Sequence, residues 1–130
     1  MRTKKKYQKS FTLLELVVVF VVVGIVSSMA IVNYLNTIER IRAKEGEEIL
    51  IALLGAQKRY AQENDGSYAG NISNLDVTTR TSAYFNTPAV STTSPLAQIT
   101  RTNSYTLSIS DTGNVSCSGG ASGLCTKLGY

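Results

Sequence analysis

The sequence predicts an α+β fold in which a long N-terminal α-helix carries a small antiparallel β-sheet packed on its C-terminal half. An apolar stretch from Phe11 to Val32 continues into an amphipathic pattern that no proline interrupts before Pro88. From Ser104 to Ser110, apolar and hydroxyl side chains alternate. The first pattern is typical of a helix and the second of a half-buried strand, so a helix followed by a sheet is expected.

Positive charge is concentrated at the start of the chain. Of the 13 Lys and Arg residues, five lie in the first ten positions without an acid, and the other eight accompany all 9 Asp and Glu residues. The net charge of +4 therefore belongs to the N-terminal segment, and the rest of the chain carries about −1. This distribution indicates no specific nucleic-acid partner for the C-terminal part.

The residue types exclude several kinds of active site. Histidine is absent and the only cysteines are Cys117 and Cys125, which excludes a His-based catalytic centre and a Cys/His zinc site. Hydroxyl residues are abundant, but no histidine or cluster of carboxylates is present to activate them. We therefore expect a protein that is not an enzyme and has no catalytic residue, cofactor or metal.

The apolar stretch Phe11 to Val32 is long enough to cross a membrane as a helix, at about 1.5 Å of rise per residue. Its basic flank is expected to stay in the cytoplasm, which places the C-terminal part outside it. A secretory signal cleaved near Ser27 to Ala30 is the alternative. The apolar run is long for such a signal, and the helical pattern continues past it.

Glu15 is the one charged residue inside this stretch. A charge in a membrane helix costs on the order of 3 kcal/mol, so this carboxylate needs a partner or a position near the membrane surface. Snorkelling to that surface is the simpler of the two explanations, because Glu15 lies near the start of the apolar segment.

Three features coincide at the N-terminus: a short basic leader, the start Phe11-Thr12-Leu13-Leu14-Glu15, and an unbroken Val-rich helix. Together they resemble the class III leader of type IV prepilins and pseudopilins. The resemblance implies that a prepilin peptidase cuts between Ser10 and Phe11 and methylates the new Phe11 amine. It also implies that pilus assembly machinery builds a helical filament from copies of the chain, in which Glu15 meets the N-terminal amine of a neighbour.

The chain departs from the family pattern at two positions. Ser10 stands where a glycine usually precedes the cut, and Val32 stands where many pilins have a proline. Because valine keeps the backbone donor that proline lacks, we expect less melting in the middle of this helix than in those pilins. Gly24 is its expected weak point and is counted with Phe11 and Glu15 among the assembly residues.

The expected organisation has four segments. Residues 1–10 form the cleaved leader, 11–34 the transmembrane and filament-core helix, and 35–64 its amphipathic continuation, with a stop at Asn64-Asp65-Gly66. Residues 65–130 hold a connecting loop, the antiparallel sheet and a C-terminal loop bounded by cysteines. The predicted buried face of the continuation comprises Leu35, Ile38, Ile41, Gly46, Ile49, Leu53, Ala56 and Tyr60.

The C-terminal half supplies the strands. Asp111 to Asn114 predicts a turn after the alternating segment, with a return strand from Val115 to Cys117, and Ile99 lies in a candidate third strand. In an exported domain, Cys117 and Cys125 are expected to form a disulfide. The predicted anchors of the loop onto the helix or sheet are Tyr68, Ile72, Leu75, Val77, Tyr84 and Phe85.

The resemblance implies a structural subunit of a type IV pilus, held in the inner membrane with its N-terminus in the cytoplasm and later part of a cell-surface filament. A pseudopilin of a type II secretion system is the first alternative, since it shares leader, helix and assembly chemistry. The second is a membrane-tethered binding module outside the cytoplasm, for which the helix is only an anchor. The cysteine pair favours the pilin, because major pseudopilins usually lack it and have calcium-binding acids there.

Overall fold

The computed structural model describes residues 11–78, 82–102, 104–121 and 123–130, apart from the side chain of Val32. The chain divides into two compact units, with the division between Leu35 and Asn36. Its elements are α1 (Leu13–Glu63), a 3-10 helix (Ile72–Asn74), β1 (Ala89–Val90), β2 (Ala97–Thr100), β3 (Tyr105–Ile109), β4 (Val115–Gly119) and α2 (Leu124–Leu128). The predicted α+β class, a long N-terminal helix with an antiparallel sheet, is confirmed.

Helix α1 runs for 51 residues and ends at Glu63, one residue before the predicted stop sequence. Asp65 takes a left-handed conformation, with φ of 52°. The Gly66 N–H then donates to the Ala61 carbonyl over 2.8 Å. The left-handed turn at Asp65 brings the Gly66 N–H to the Ala61 carbonyl, which would otherwise lack a partner in the last turn of the helix. This arrangement explains why the helix ends there.

The sheet is an antiparallel meander in the order β1-β2-β3-β4. β3 and β4 form the predicted hairpin, in which Ile109 is opposite Val115 and Gly113 supplies a φ of +89° in the turn. Along β3 the side chains of Tyr105, Leu107 and Ile109 are fully buried and alternate with hydroxyl residues. The period of two therefore places one face of the sheet in the core.

Two residues of the predicted buried face of α1 are exposed, and four buried residues of this helix, Ala43, Leu50, Leu54 and Gln57, lie outside the predicted face. Leu35 and Ile41 were predicted to be buried, but each is 61% exposed. Apolar residues occupy more than one face of α1. Steps of three or four residues can therefore be traced along two neighbouring stripes of the helix. The sheet covers the stripe that contains Leu50. The buried side chains of α1 are Ala43, Leu50, Leu53, Leu54, Ala56 and Gln57.

The segment between α1 and the sheet packs largely as predicted. Leu75 and Phe85 are buried, and Tyr68, Ile72 and Val77 pack against the core while partly exposed. Tyr84 is 38% exposed. Its ring lies instead beneath two guanidinium groups, those of Arg42 and Arg101, at 4.5 and 5.5 Å from the ring centroid.

Three short elements were not predicted, namely the 3-10 helix, β1 and α2. The region between the cysteines was expected to be a loop, but β4 continues past Cys117 to Gly119 and α2 begins at Leu124. A disulfide joins Cys117 to Cys125. Gly119 and Gly120 turn the chain there with φ values of 78° and 80°. After this turn only five residues remain helical, and such a short helix has no sequence period long enough to detect.

Candidate processing and assembly site

The residues around the predicted cleavage point lie just before α1. Phe11 and Thr12 are not helical, and Phe11 is 75% exposed. Glu15 belongs to the first turn of the helix. Ser10, the other residue of the predicted cut, lies outside the described residues. On the C-terminal side of the cut, the chain is therefore exposed and free of helix for two residues.

Thr12 caps the helix. Its hydroxyl oxygen Oγ1 accepts a hydrogen bond from the backbone N–H of Glu15 at 3.3 Å. Its carbonyl accepts from the N–H groups of Glu15 and Leu16 at 3.1 and 3.3 Å. The Thr-x-x-Glu spacing of Thr12 and Glu15 is a known sequence signal for a helix start. The cap at Thr12 was not predicted, because hydrophobicity identifies the helix without marking the residue at which it starts.

Glu15 carries its carboxylate on the outside of an apolar helix. It is exposed, and none of the cations in the described part of the chain forms an ion pair with it. Such a carboxylate is stable in water but costly in an apolar environment unless a cation reaches it. Among the described residues, therefore, this carboxylate has no cationic partner.

A large apolar surface surrounds this carboxylate. From Phe11 to Leu35, leaving Val32 aside, the large hydrophobic side chains are between 49% and 81% exposed. By length and composition, α1 is able to cross a membrane. An apolar surface of this extent is far larger than that of a soluble monomer and calls for lipid or protein to cover it.

Gly24 lies within this surface and does not interrupt the helix. A Cβ atom added there would meet nothing within 4 Å. Glycine in a helix interior costs about 1 kcal/mol relative to alanine, because its backbone loses more conformational freedom on folding. The role of Gly24 as a weak point thus stays a prediction based on this intrinsic cost.

In the second compact unit, Asn36–Tyr130, called the globular unit below, Glu39 of α1 joins the helix to the residues that follow β2. Its two carboxylate oxygens accept from Arg101 Nε at 2.8 Å and from Arg42 Nη1 at 3.0 Å. The hydrogen bond from Arg101, with a second one from Arg42, lowers the pKa of Glu39. Burial raises the pKa of neighbouring Tyr105 to about 12, so this phenol stays protonated.

The C-terminus docks on α1 through two further polar contacts. Arg40 Nε donates to the Lys127 carbonyl at 2.7 Å, and the Tyr130 hydroxyl donates to Glu47 Oε2 at 2.9 Å. Lys44 also pairs with Glu47, and this hydrogen bond is the main reason that the pKa of Glu47 is lowered. α2 and the disulfide are thereby held against the helix.

The described residues show no centre for metal chemistry. Within those ranges no three His, Cys, Asp or Glu side chains gather to hold a metal ion. The polar contacts of the globular unit are pairs and small networks that connect α1 to the sheet and to the C-terminus. What they do chemically is hold the fold together.

Comparison with protein families shows that residues 5–31 match the prokaryotic N-terminal methylation motif. No curated protein and no solved structure matches the chain. The matched segment contains the last six residues of the leader, the predicted cut and the apolar start of α1. It implies processing by a prepilin peptidase, and with the apolar helix it indicates a membrane-anchored precursor. The motif, together with the α+β fold, supports a prepilin resembling the type IV pilins and pseudopilins.

Proposed function

We propose that this chain is a structural subunit of a type IV pilus, which polymerises through its N-terminal helix after the leader is removed between Ser10 and Phe11. The observation that carries the proposal is the methylation motif at residues 5–31 running directly into a helix whose apolar side chains are exposed. Lipid covers these side chains in the precursor. In the filament, copies of the same helix replace the lipid.

Glu15 selects the register between neighbouring copies. Cleavage creates a positive amine on Phe11, and in the filament this amine pairs with Glu15 of an adjacent copy. Two opposite charges attract strongly in a low-dielectric bundle, and either one alone is costly there. Registers that separate them are therefore disfavoured, as with a polar residue that sets the register of a coiled coil.

The proposal is tested by mass spectrometry of filaments sheared from the cell surface. The expected subunit begins with N-methylated Phe11 and retains the Cys117–Cys125 disulfide. A subunit that still carries Met1, or one that starts after Ala30, would show that the leader is not of the prepilin type. The filaments themselves would be expected on the outside of the cell.

A second test separates a filament subunit from a membrane-tethered binding module. Glu15→Gln removes the charge while keeping the shape of the side chain, and we expect it to abolish filaments while the protein remains in the membrane. The matched control is Glu48→Gln, at an exposed position of α1 outside the apolar segment, which should leave filaments intact. Normal filaments from the Glu15 variant would show that this charge is not needed for assembly. A wild-type chain that forms no filaments would favour the tethered module.

The alternative is a pseudopilin of a type II secretion system, which shares the leader and the apolar helix. The Cys117–Cys125 disulfide favours the pilus subunit, because the resemblance associates such a C-terminal bridge with pilins. Electron microscopy with an antibody to the globular unit distinguishes them. Long surface fibres support the pilus subunit, and short periplasmic assemblies with a secretion defect support the pseudopilin.

A further inference from the structure

We propose that Thr12 is a positioning residue for leader removal. By capping α1, its side chain ends the helix on the C-terminal side of the Ser10–Phe11 bond and keeps Phe11 in non-helical backbone. This inference rests on the proposed function, because it concerns the cut that the function requires. It adds a role for a side chain on the mature side of that cut.

The cap determines where α1 begins. Leu13 is the first helical residue, and the Thr12 hydroxyl accepts from the Glu15 N–H at 3.3 Å. The first N–H groups of any helix lack partners inside the helix. In an apolar environment water cannot replace those partners, so a side-chain acceptor has more influence than it would in a soluble protein.

Leader removal needs access to the Ser10 carbonyl group. A water oxygen adds to its carbon, the bond to the Phe11 nitrogen breaks, and that nitrogen takes the proton to become the new amine. A carbonyl that already accepts a bond within a helix is engaged and shielded by the surrounding turn. Exposed segments without such bonds are the usual sites of proteolysis.

Without the Thr12 hydroxyl, the next residue upstream of a type favoured at helix starts is Ser10 itself. A helix capped by Ser10 would make Phe11 its first residue. The capping residue's own carbonyl accepts the first bond within the helix, here from the Leu14 N–H. The carbonyl that water must attack would then be engaged, and cleavage would slow.

The test measures the rate at which the full-length precursor in membranes loses its leader to prepilin peptidase. Thr12→Ser and Thr12→Asn keep a capping oxygen and should be cut within about twofold of the wild-type rate. Thr12→Val keeps the shape of threonine without the hydroxyl, and Thr12→Ala removes both. These two should be cut about fivefold more slowly, which corresponds to the loss of a typical helix cap.

The order of the variants separates capping from direct recognition of Thr12 by the peptidase. A peptidase that recognises the shape of the Thr12 side chain would cut Thr12→Val at the wild-type rate and Thr12→Asn slowly. That order of cleavage rates would overturn the proposal. Equal rates for all variants, with the wild type cut before Phe11, would overturn it and leave the proposed function standing. A wild-type chain that is not cut before Phe11 would instead remove the proposed function itself.

A structural readout completes the test. In the full-length precursor in detergent micelles, the carbon-13 shift of the Phe11 Cα reports whether this residue is helical. We expect non-helical values for wild type and Thr12→Asn, and a shift towards helical values for Thr12→Val. A non-helical Phe11 in the Val variant would show that Thr12 does not determine where the helix begins.

Discussion

Arg101 donates from Nε to Glu39 Oε1 at 2.8 Å, and its Nη1 donates to the Tyr84 carbonyl at 3.0 Å. One guanidinium group thus connects α1, the segment before β1 and the end of β2. The side chains of Arg101 and Glu39 are only 18% and 22% exposed, so the pair is partly shielded from water. It is therefore expected to contribute more than an exposed ion pair.

Arg101→Lys is expected to lower the free energy of unfolding by about 1 to 2 kcal/mol, because lysine keeps the charge but cannot reach both acceptors with fixed geometry. Denaturant unfolding of the full chain in micelles, followed by tyrosine circular dichroism, measures this. The control is Arg59→Lys, whose partner is Asp76. That pair is 54% and 61% exposed, so water screens it and this change should cost clearly less stability than Arg101→Lys. Equal losses of unfolding free energy in the two lysine variants would contradict the expectation that the partly buried pair contributes more than the exposed one.

Acid is expected to destabilise the globular unit. The pKa values of Glu39 and Glu47 are lowered from 4.5, mainly by their bonds to Arg101 and Lys44. A carboxylate with a lower pKa in the folded than in the unfolded state stabilises the fold above its unfolded pKa. This contribution is lost as pH falls through the folded value. The free energy of unfolding should therefore decrease below about pH 4.5.

Glu39→Gln tests the origin of this acid dependence. The variant should be less stable at pH 7 and should lose less stability between pH 5 and pH 2, so that the two curves converge in acid. Glu48→Gln is the control, since Glu48 is exposed and pairs with no cation among the described residues. An unchanged acid slope in the Glu39 variant would mean that other carboxylates carry the effect.

Gly46 is required by the close approach of the sheet to α1. A Cβ there would lie 2.8 Å from Phe85 Cζ and 3.1 Å from Leu107 Cδ1. Gly46→Ala gains about 1 kcal/mol of helix propensity but overpacks the core by about 1 to 3 kcal/mol. We expect a net destabilisation of about 1 kcal/mol in the same unfolding measurement.

Gly55→Ala is the matched control for Gly46, because it makes the same change in the same helix. Its Cβ would meet only the end of the flexible Arg59 side chain, at 3.5 Å. It should stabilise the chain by up to about 1 kcal/mol. The two alanine variants are thus expected to shift stability in opposite directions, and a stabilising Gly46→Ala would contradict the packing shown here.

The long periodic elements were predictable from the sequence and the short ones were not. Hydrophobicity with a period near 3.6 identified α1, and strict alternation identified β3. β1 has two residues, too few for any period, and it exists because β2 offers a partner edge. The face of α1 that the sheet covers was predicted wrongly in part. Ile41 and Leu50 both belong to apolar patterns with a helical period, and only the position of the sheet shows that Leu50 is buried and Ile41 exposed.

At the candidate site, the sequence identified the apolar segment and Glu15 because a charge inside an apolar run stands out. It did not reveal the Glu39 network. Glu39 and Arg101 lie far apart in the chain, and each looks like an ordinary surface charge until the fold brings them together. Contacts of this kind depend on tertiary structure, so no local sequence pattern predicts them.

Gln57 has no exposed surface and holds the segment that follows α1. Its Nε2 donates to the Ala69 carbonyl, and its Oε1 accepts from the Ala69 N–H, each at 2.8 Å. Gln57→Leu would leave both buried backbone groups of Ala69 without these partners. We expect a loss of about 2 to 4 kcal/mol in the free energy of unfolding, since each unpaired group costs about 1 to 3 kcal/mol.

Gln57→Glu separates loss of these hydrogen bonds from loss of side-chain volume. An ionised glutamate accepts from the Ala69 N–H but cannot donate to its carbonyl, and burial makes its charge costly. Protonation restores a donor, so the deficit of this variant relative to wild type should shrink as the solution is acidified from pH 7 to pH 5. That trend is opposite to the one expected from the Glu39 ion pair. A deficit that stays constant between pH 7 and pH 5 would show that the introduced carboxylate does not titrate in the buried site, and would contradict this expectation.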